Sequence, residues 1–99
     1  MNKVFAVIAE ETEYYDDSDG AYTFFYLFKN KDDAEFYKQE LIDAYIQEFM
    51  DRLGCETEEE LRSEWLEIYE SEIFDRISLE AEDVFRVVLR IEERPVLQF

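Results

Sequence analysis

Carboxylates are the side chains with which this chain could do chemistry, and their spacing is the first thing to weigh. There are 27 Asp and Glu residues against 10 Lys and Arg, a formal net charge of −17, and no histidine. Without histidine the chain lacks the usual general base and the usual metal ligand. Ser18, Ser63, Ser71 and Ser78 therefore have no partner for a Ser-His-Asp triad, and Cys55, alone, would need carboxylates only to complete a zinc site. Two glycines in the chain exclude a glycine-rich phosphate cradle. The stretch Asp16-Asp17-Ser18-Asp19-Gly20 invites comparison with a calcium loop. Setting Gly20 at the sixth position of an EF-hand puts Tyr15 first and Tyr26 twelfth, where Asp and Glu belong, so the motif fails. A solvated acidic turn is the better reading. The expectation is a protein that is not an enzyme and uses no metal or cofactor.

What remains is charge displayed as a surface. Glu60, Glu64, Glu67, Ser71 and Asp75 would form one exposed row if the segment is helical, with a similar row at Asp33, Glu40, Asp43, Gln47 and Asp51. Neither row interleaves bases, so each repels itself. Glu10, Glu11, Glu13, Asp16, Asp17 and Asp19 extend the same sign, with Tyr14 and Tyr15 among them as aromatic anchors. Carboxylates a helical turn apart stand about 5–6 Å from one another, near the step between phosphates on one nucleic-acid strand. Such a surface complements a Lys- and Arg-lined groove on a partner protein. Direct binding to nucleic acid is disfavoured, because phosphates would meet like charge. The competing reading is an ordinary solvated face.

The elements that must carry these residues follow from periodicity. The 99 residues fit a single domain, 1–99, and 47% hydrophobic with 17% aromatic content argues for a packed core. Residues 3–9 read as a strand with apolar residues on both faces, hence central. Residues 10–20 read as an acidic turn region, and residues 21–28 as an aromatic strand. Asn30 is placed as N-cap of a helix running to about Leu53, with Gly54 just past its end. Its inward stripe is Ala34, Tyr37, Leu41, Ile42, Tyr45, Phe49 and Leu53, with Phe36 and Met50 off that stripe. Thr57 and Glu60 form a capping box that opens a second helix with an inward stripe of Leu61, Trp65, Ile68, Tyr69 and Ile73. Residues 83–92 read as the last strand, ended by Pro95. The expected fold is α+β, ββααβ: a three-stranded antiparallel sheet with an αα-hairpin packed on one face. Tyr22, Phe24, Tyr26 and Phe28 would share one side of their strand, and Phe25 and Leu27 the other. The uncovered sheet face should then show aromatics beside Arg86 and Arg90, a candidate homodimer or partner surface, and the alternative to the inhibitor reading is a structural or assembly module that works through it.

No run of about 18 apolar residues suggests a membrane span, and Glu10 and Glu11 follow the first residues too soon for a signal peptide. A cytoplasmic location is the expectation, that of the host cell if the chain is viral. From Lys3 to about Leu41, the strand, acidic tyrosine-rich loop, aromatic strand and Phe28-x-Asn30-Lys31-x-x-Ala34-Glu35-x-Tyr37 resemble many small phage and bacterial proteins. In size, charge and compactness the chain also resembles small acidic phage-encoded inhibitors of host defence, of the anti-CRISPR and anti-restriction kind, some of which mimic DNA. That resemblance implies a partner with a basic nucleic-acid-binding surface, such as a host defence nuclease. It assigns a role to no individual residue.

Overall fold

The computed structural model describes residues 3–13, 21–71, 76–81 and 85–96. Strands β1 (Lys3–Glu13) and β2 (Ala21–Phe28) come first, then helices α1 (Lys31–Leu53) and α2 (Glu58–Glu64). Strands β3 (Leu66–Ser71), β4 (Arg76–Ala81) and β5 (Phe85–Pro95) complete the described elements. All five strands join one antiparallel sheet in the order β2-β1-β5-β4-β3. The expected ββααβ fold, with three strands and an αα-hairpin, is thus corrected.

The cause lies between Trp65 and Ala81. Glutamates at 64, 67 and 70 favour helix locally, yet α2 stops after seven residues. From there Leu66 and Ile68 alternate with Glu67 and Tyr69, and Ile77, Leu79 and Ala81 alternate with Arg76, Ser78 and Glu80. The inward members bury themselves in the main core, or against it in the case of Ile68. Strand β5 explains why pairing prevails over propensity. Its residues Phe85, Val87 and Leu89 point into the core, and β1 satisfies only one of its edges. Strand β4 supplies the backbone partners for the other, from Arg76 opposite Arg90 to Ala81 opposite Phe85. Trp65 and Tyr69, expected on the inward stripe of a longer helix, are exposed.

Strand β1 is central as its composition implied, and Ala6, Val7, Ile8 and Ala9 are all buried. It runs four residues beyond its expected end, so Glu10 and Glu11 lie in the sheet and not in a loop. Helix α1 keeps its expected limits. Asn30 occupies the N-cap position, but its side chain makes no capping bond and donates instead to Asp33 Oδ2 at 3.2 Å. At the other end Gly54 adopts φ 69°, and its N–H and that of Cys55 both donate to the Met50 carbonyl. One arm of the α2 capping box is present, Glu60 N–H donating to Thr57 Oγ1 at 3.1 Å; the Glu60 side chain reaches back one residue past the N-cap, accepting from Glu56 N–H at 3.3 Å.

Both helices cover the same sheet face. Phe49 of α1 meets Phe85 of β5 with ring centroids 5.2 Å apart, and Arg52 places its guanidinium 4.8 Å from the centroid of the same Phe85 ring. Tyr37 packs on Tyr26 and Phe28 of β2 at 4.8 and 5.2 Å. No helix among the described residues is long and apolar enough to cross a membrane.

Candidate partner-binding surface

The outer face of α1 is where the acidic charge is most ordered. Its inward side is defined by buried Ala34, Tyr45, Ile46 and Phe49. At 100° per residue, Asp33, Phe36, Glu40, Asp43, Gln47 and Asp51 fall on the opposite side, and all are exposed. Asp33 and Asp51 stand about 27 Å apart along the axis, at 1.5 Å per residue. Three of the four carboxylates of this stripe are served by neutral amides: Asn30 donates to Asp33, Gln39 to Asp43 and Gln47 to Asp51, each at 3.1–3.2 Å. Their charge therefore stays uncompensated by these contacts. Three cations of the two helices make ion pairs along other lines. Lys31 lies 3.9 Å from Glu35, Arg52 3.0 Å from Glu48, and Arg62 of α2 2.8 Å from Glu58.

Phe36 sits in the middle of this stripe and is 68% exposed. Asp32, Asp33 and Glu40 lie three or four residues away, so an apolar ring projects among carboxylates. Its off-stripe position is the sequence signal for Phe36.

The second acidic row does not exist as a helical ridge. Glu60 and Glu64 belong to α2, but Glu67 and Ser71 lie on β3, on the sheet face away from the helices. Glu60 is engaged at the helix start, and Glu67 accepts a hydrogen bond from the Tyr69 hydroxyl. Asp75 lies outside the described residues, as do Tyr14, Tyr15, Asp16, Asp17 and Asp19. Glu13 ends β1. Glu10 and Glu11, adjacent in sequence, point to opposite faces of β1 and serve structural contacts. Tyr45 Oη donates to Glu11 Oε1 at 2.6 Å, tying α1 to the sheet. Burial first, then this bond to Glu11, pushes the Tyr45 hydroxyl far above the usual tyrosine range. Glu10 accepts from Arg90 at 2.5 Å on the uncovered face. Arg90 also meets Glu92 at 2.9 Å, and Arg94 closes the ladder on Glu92 at 2.5 Å. Those two arginines hold the Glu92 carboxyl below its usual range, Arg94 contributing most.

Cys55 is buried against the core, and burial together with Glu60 and Glu64 pushes its thiol up. It is therefore no poised nucleophile.

Strand β2 forms one edge of the sheet and carries no charged residue over its eight positions. Phe25 and Leu27 project from the uncovered face at 62% and 67% exposure. Tyr22 and Phe24, on the helix side, are also exposed. The expected aromatic patch thus occupies both sides of one edge strand, and the arginines of the uncovered face lie across β1 from it.

No family model matches the chain, and no curated protein or solved structure matches it at a significant level.

Proposed function

We propose that this protein is a non-enzymatic inhibitor that occupies a basic nucleic-acid-binding surface on a partner protein, using the outer face of α1. The supporting observation is the exposed carboxylate stripe from Asp33 to Asp51 with Phe36 at its centre. Charge of one sign steers association with a basic surface, and an exposed aromatic supplies the desolvated anchor that charge alone does not. Magnitude limits the form of mimicry. Duplex DNA carries one charge per about 1.7 Å of axis, whereas this stripe carries four carboxylates over about 27 Å. The contact is therefore a patch that competes for a few basic side chains, and it does not track a groove. The phage anti-defence identity, with a host defence nuclease as partner, rests on the compositional resemblance and is part of this proposal.

The test uses the immobilised protein to capture a partner from lysate at low and high salt, followed by challenge with duplex DNA. DNA and salt should each displace the partner. Glu40→Lys, Asp43→Lys and Asp51→Lys combined should weaken binding at least about 100-fold, since like-charge juxtaposition costs several kcal/mol. None of the three lies in the first turn, so the variant does not oppose the helix dipole there. Capture that resists both DNA and the triple reversal refutes the reading.

A second reading is favoured by the uncharged β2 edge: self-association, strand to strand, through Ala21–Phe28. The two readings respond oppositely to salt. Salt screens repulsion between two copies, each of charge −17, and so favours self-association, but it weakens binding to a basic partner. A strict monomer by light scattering at high protein and high salt excludes the second.

A further inference from the structure

The uncovered sheet face holds four of the chain's arginines, and they divide into two pairs. Arg90 and Arg94 are occupied by Glu10 and Glu92. Arg76 and Arg86 have no ion pair among the described residues, in a chain with 27 carboxylates. Both line an open pocket of about 420 Å³ over β3, β4 and β5, a size within the range of small-ligand sites.

The pocket is built around Ser78. Register places Tyr69 of β3 on one side of it and Val88 of β5 on the other. Arg76 and Glu80 flank Ser78 two residues away on its own strand, and Arg86 lies diagonally across on β5, opposite Glu80. Ser78 is only 7% exposed, yet among the described residues its hydroxyl has no hydrogen-bond partner, and the Nε of Arg86 is likewise buried and unpartnered there. Buried polar groups are ordinarily satisfied, and these two belong to one pocket. Two guanidinium groups and the Ser78 hydroxyl form a donor set suited to oxygen anions, while the Tyr69 hydroxyl already donates to Glu67. Glu70 and Glu80 also line the pocket and would repel a bare polyanion. They fit a ligand that carries a hydrogen-bond donor or positive group beside its anionic one.

We propose that this pocket binds a small ligand through a phosphoryl or carboxylate group held by Arg76, Arg86 and Ser78. The site is separate from the α1 stripe and does not depend on its role.

The experiment is an NMR titration of the whole protein with O-phosphoethanolamine, and separately with β-alanine, each carrying an ammonium beside its anionic group, at constant ionic strength against sodium chloride. The expected result is saturable shifts at Arg86 Nε–H and at the amides of Tyr69 and Ser78, absent with chloride. Saturation by O-phosphoethanolamine or by β-alanine supports the site and tells which oxyanion it takes. Arg76→Gln, at an exposed position, and Ser78→Ala should each weaken the saturating anion about tenfold or more, whereas Arg94→Gln on the same face should leave it unchanged. Linear shifts, shifts reproduced by chloride, or equal affinity in Arg76→Gln and Ser78→Ala would show an adventitious ion only and overturn the proposal.

Discussion

Replacing Tyr45 with Phe removes one oxygen, and the structure says what that oxygen does. Tyr45 is 8% exposed, and its hydroxyl donates to Glu11 over 2.6 Å, joining residues 34 apart in sequence. A hydrogen bond to a charged group contributes roughly 1.5–3 kcal/mol. Glu11 is only half-buried, so water can replace the lost donor in part, and the expected cost is the lower end, about 1.5 kcal/mol. For a domain of this size that lowers Tm by roughly 6–12 °C. A double-mutant cycle with Glu11→Ala separates the bond from the relief of net charge that removing Glu11 brings. The pH dependence carries a definite sign. Tyr45 keeps its proton in the folded state well above 10.0, the ordinary tyrosine value, while the unfolded chain loses it from there upward. The folded state then binds more protons, so this contribution is complete below pH 10 and declines as pH rises. The decline is about 1.4 kcal/mol per pH unit. It is absent in Tyr45→Phe, so the gap between the two proteins should close near pH 11, by roughly one unit above the unfolded value. Urea unfolding followed by circular dichroism at pH 7, 10 and 11 measures it. Equal midpoints at pH 7, or a gap that widens with pH, refute the reasoning.

Leu79→Ala tests the added strand β4. Leu79 is fully buried, so the cost should be about 3 kcal/mol, whereas Ser78→Ala next to it, facing the other way, should be neutral or slightly stabilising. Thermal melts of the two variants that agree within error would contradict this register. Gly54→Ala should cost about 1–2 kcal/mol, because φ is 69° while nothing lies within 4 Å of the added methyl, so the penalty is conformational and not steric. Gly54→Asn should recover much of it in denaturant melts, since Asn tolerates the left-handed region.

Local chemistry alone was enough for the ends of α1, for the start of α2 and for the existence of β1, β2 and β5, but not for the last four residues of β1. Gly54, the Thr57–Glu60 box and the two-sided apolar run from Val4 to Ala9 each act through their immediate neighbours. The α1 stripe was legible for the same reason, since helical spacing places Asp33, Glu40, Asp43 and Asp51 on one side without reference to the rest of the chain. The segment after Glu64 was not legible. There Leu61, Trp65, Ile68 and Tyr69 fit a helix as well as Leu66 and Ile68 fit a strand, and the glutamates favour the helix. The choice depends on β5, some twenty residues away, whose second edge needs backbone partners that only β4 provides. The apparent second ridge went with it, because Glu67 and Ser71 on β3 no longer share a face with Glu60. Arg76 carried no local signal at all. It and Arg86 and Ser78 meet only because three strands pair in one register, a fact that lies in the tertiary hydrogen bonds. By itself, then, the sequence determined an acidic, core-forming chain with one long helix and a central apolar strand. The tertiary structure decided which of its charges stand together, since faces of a sheet are assigned by partners distant in the chain.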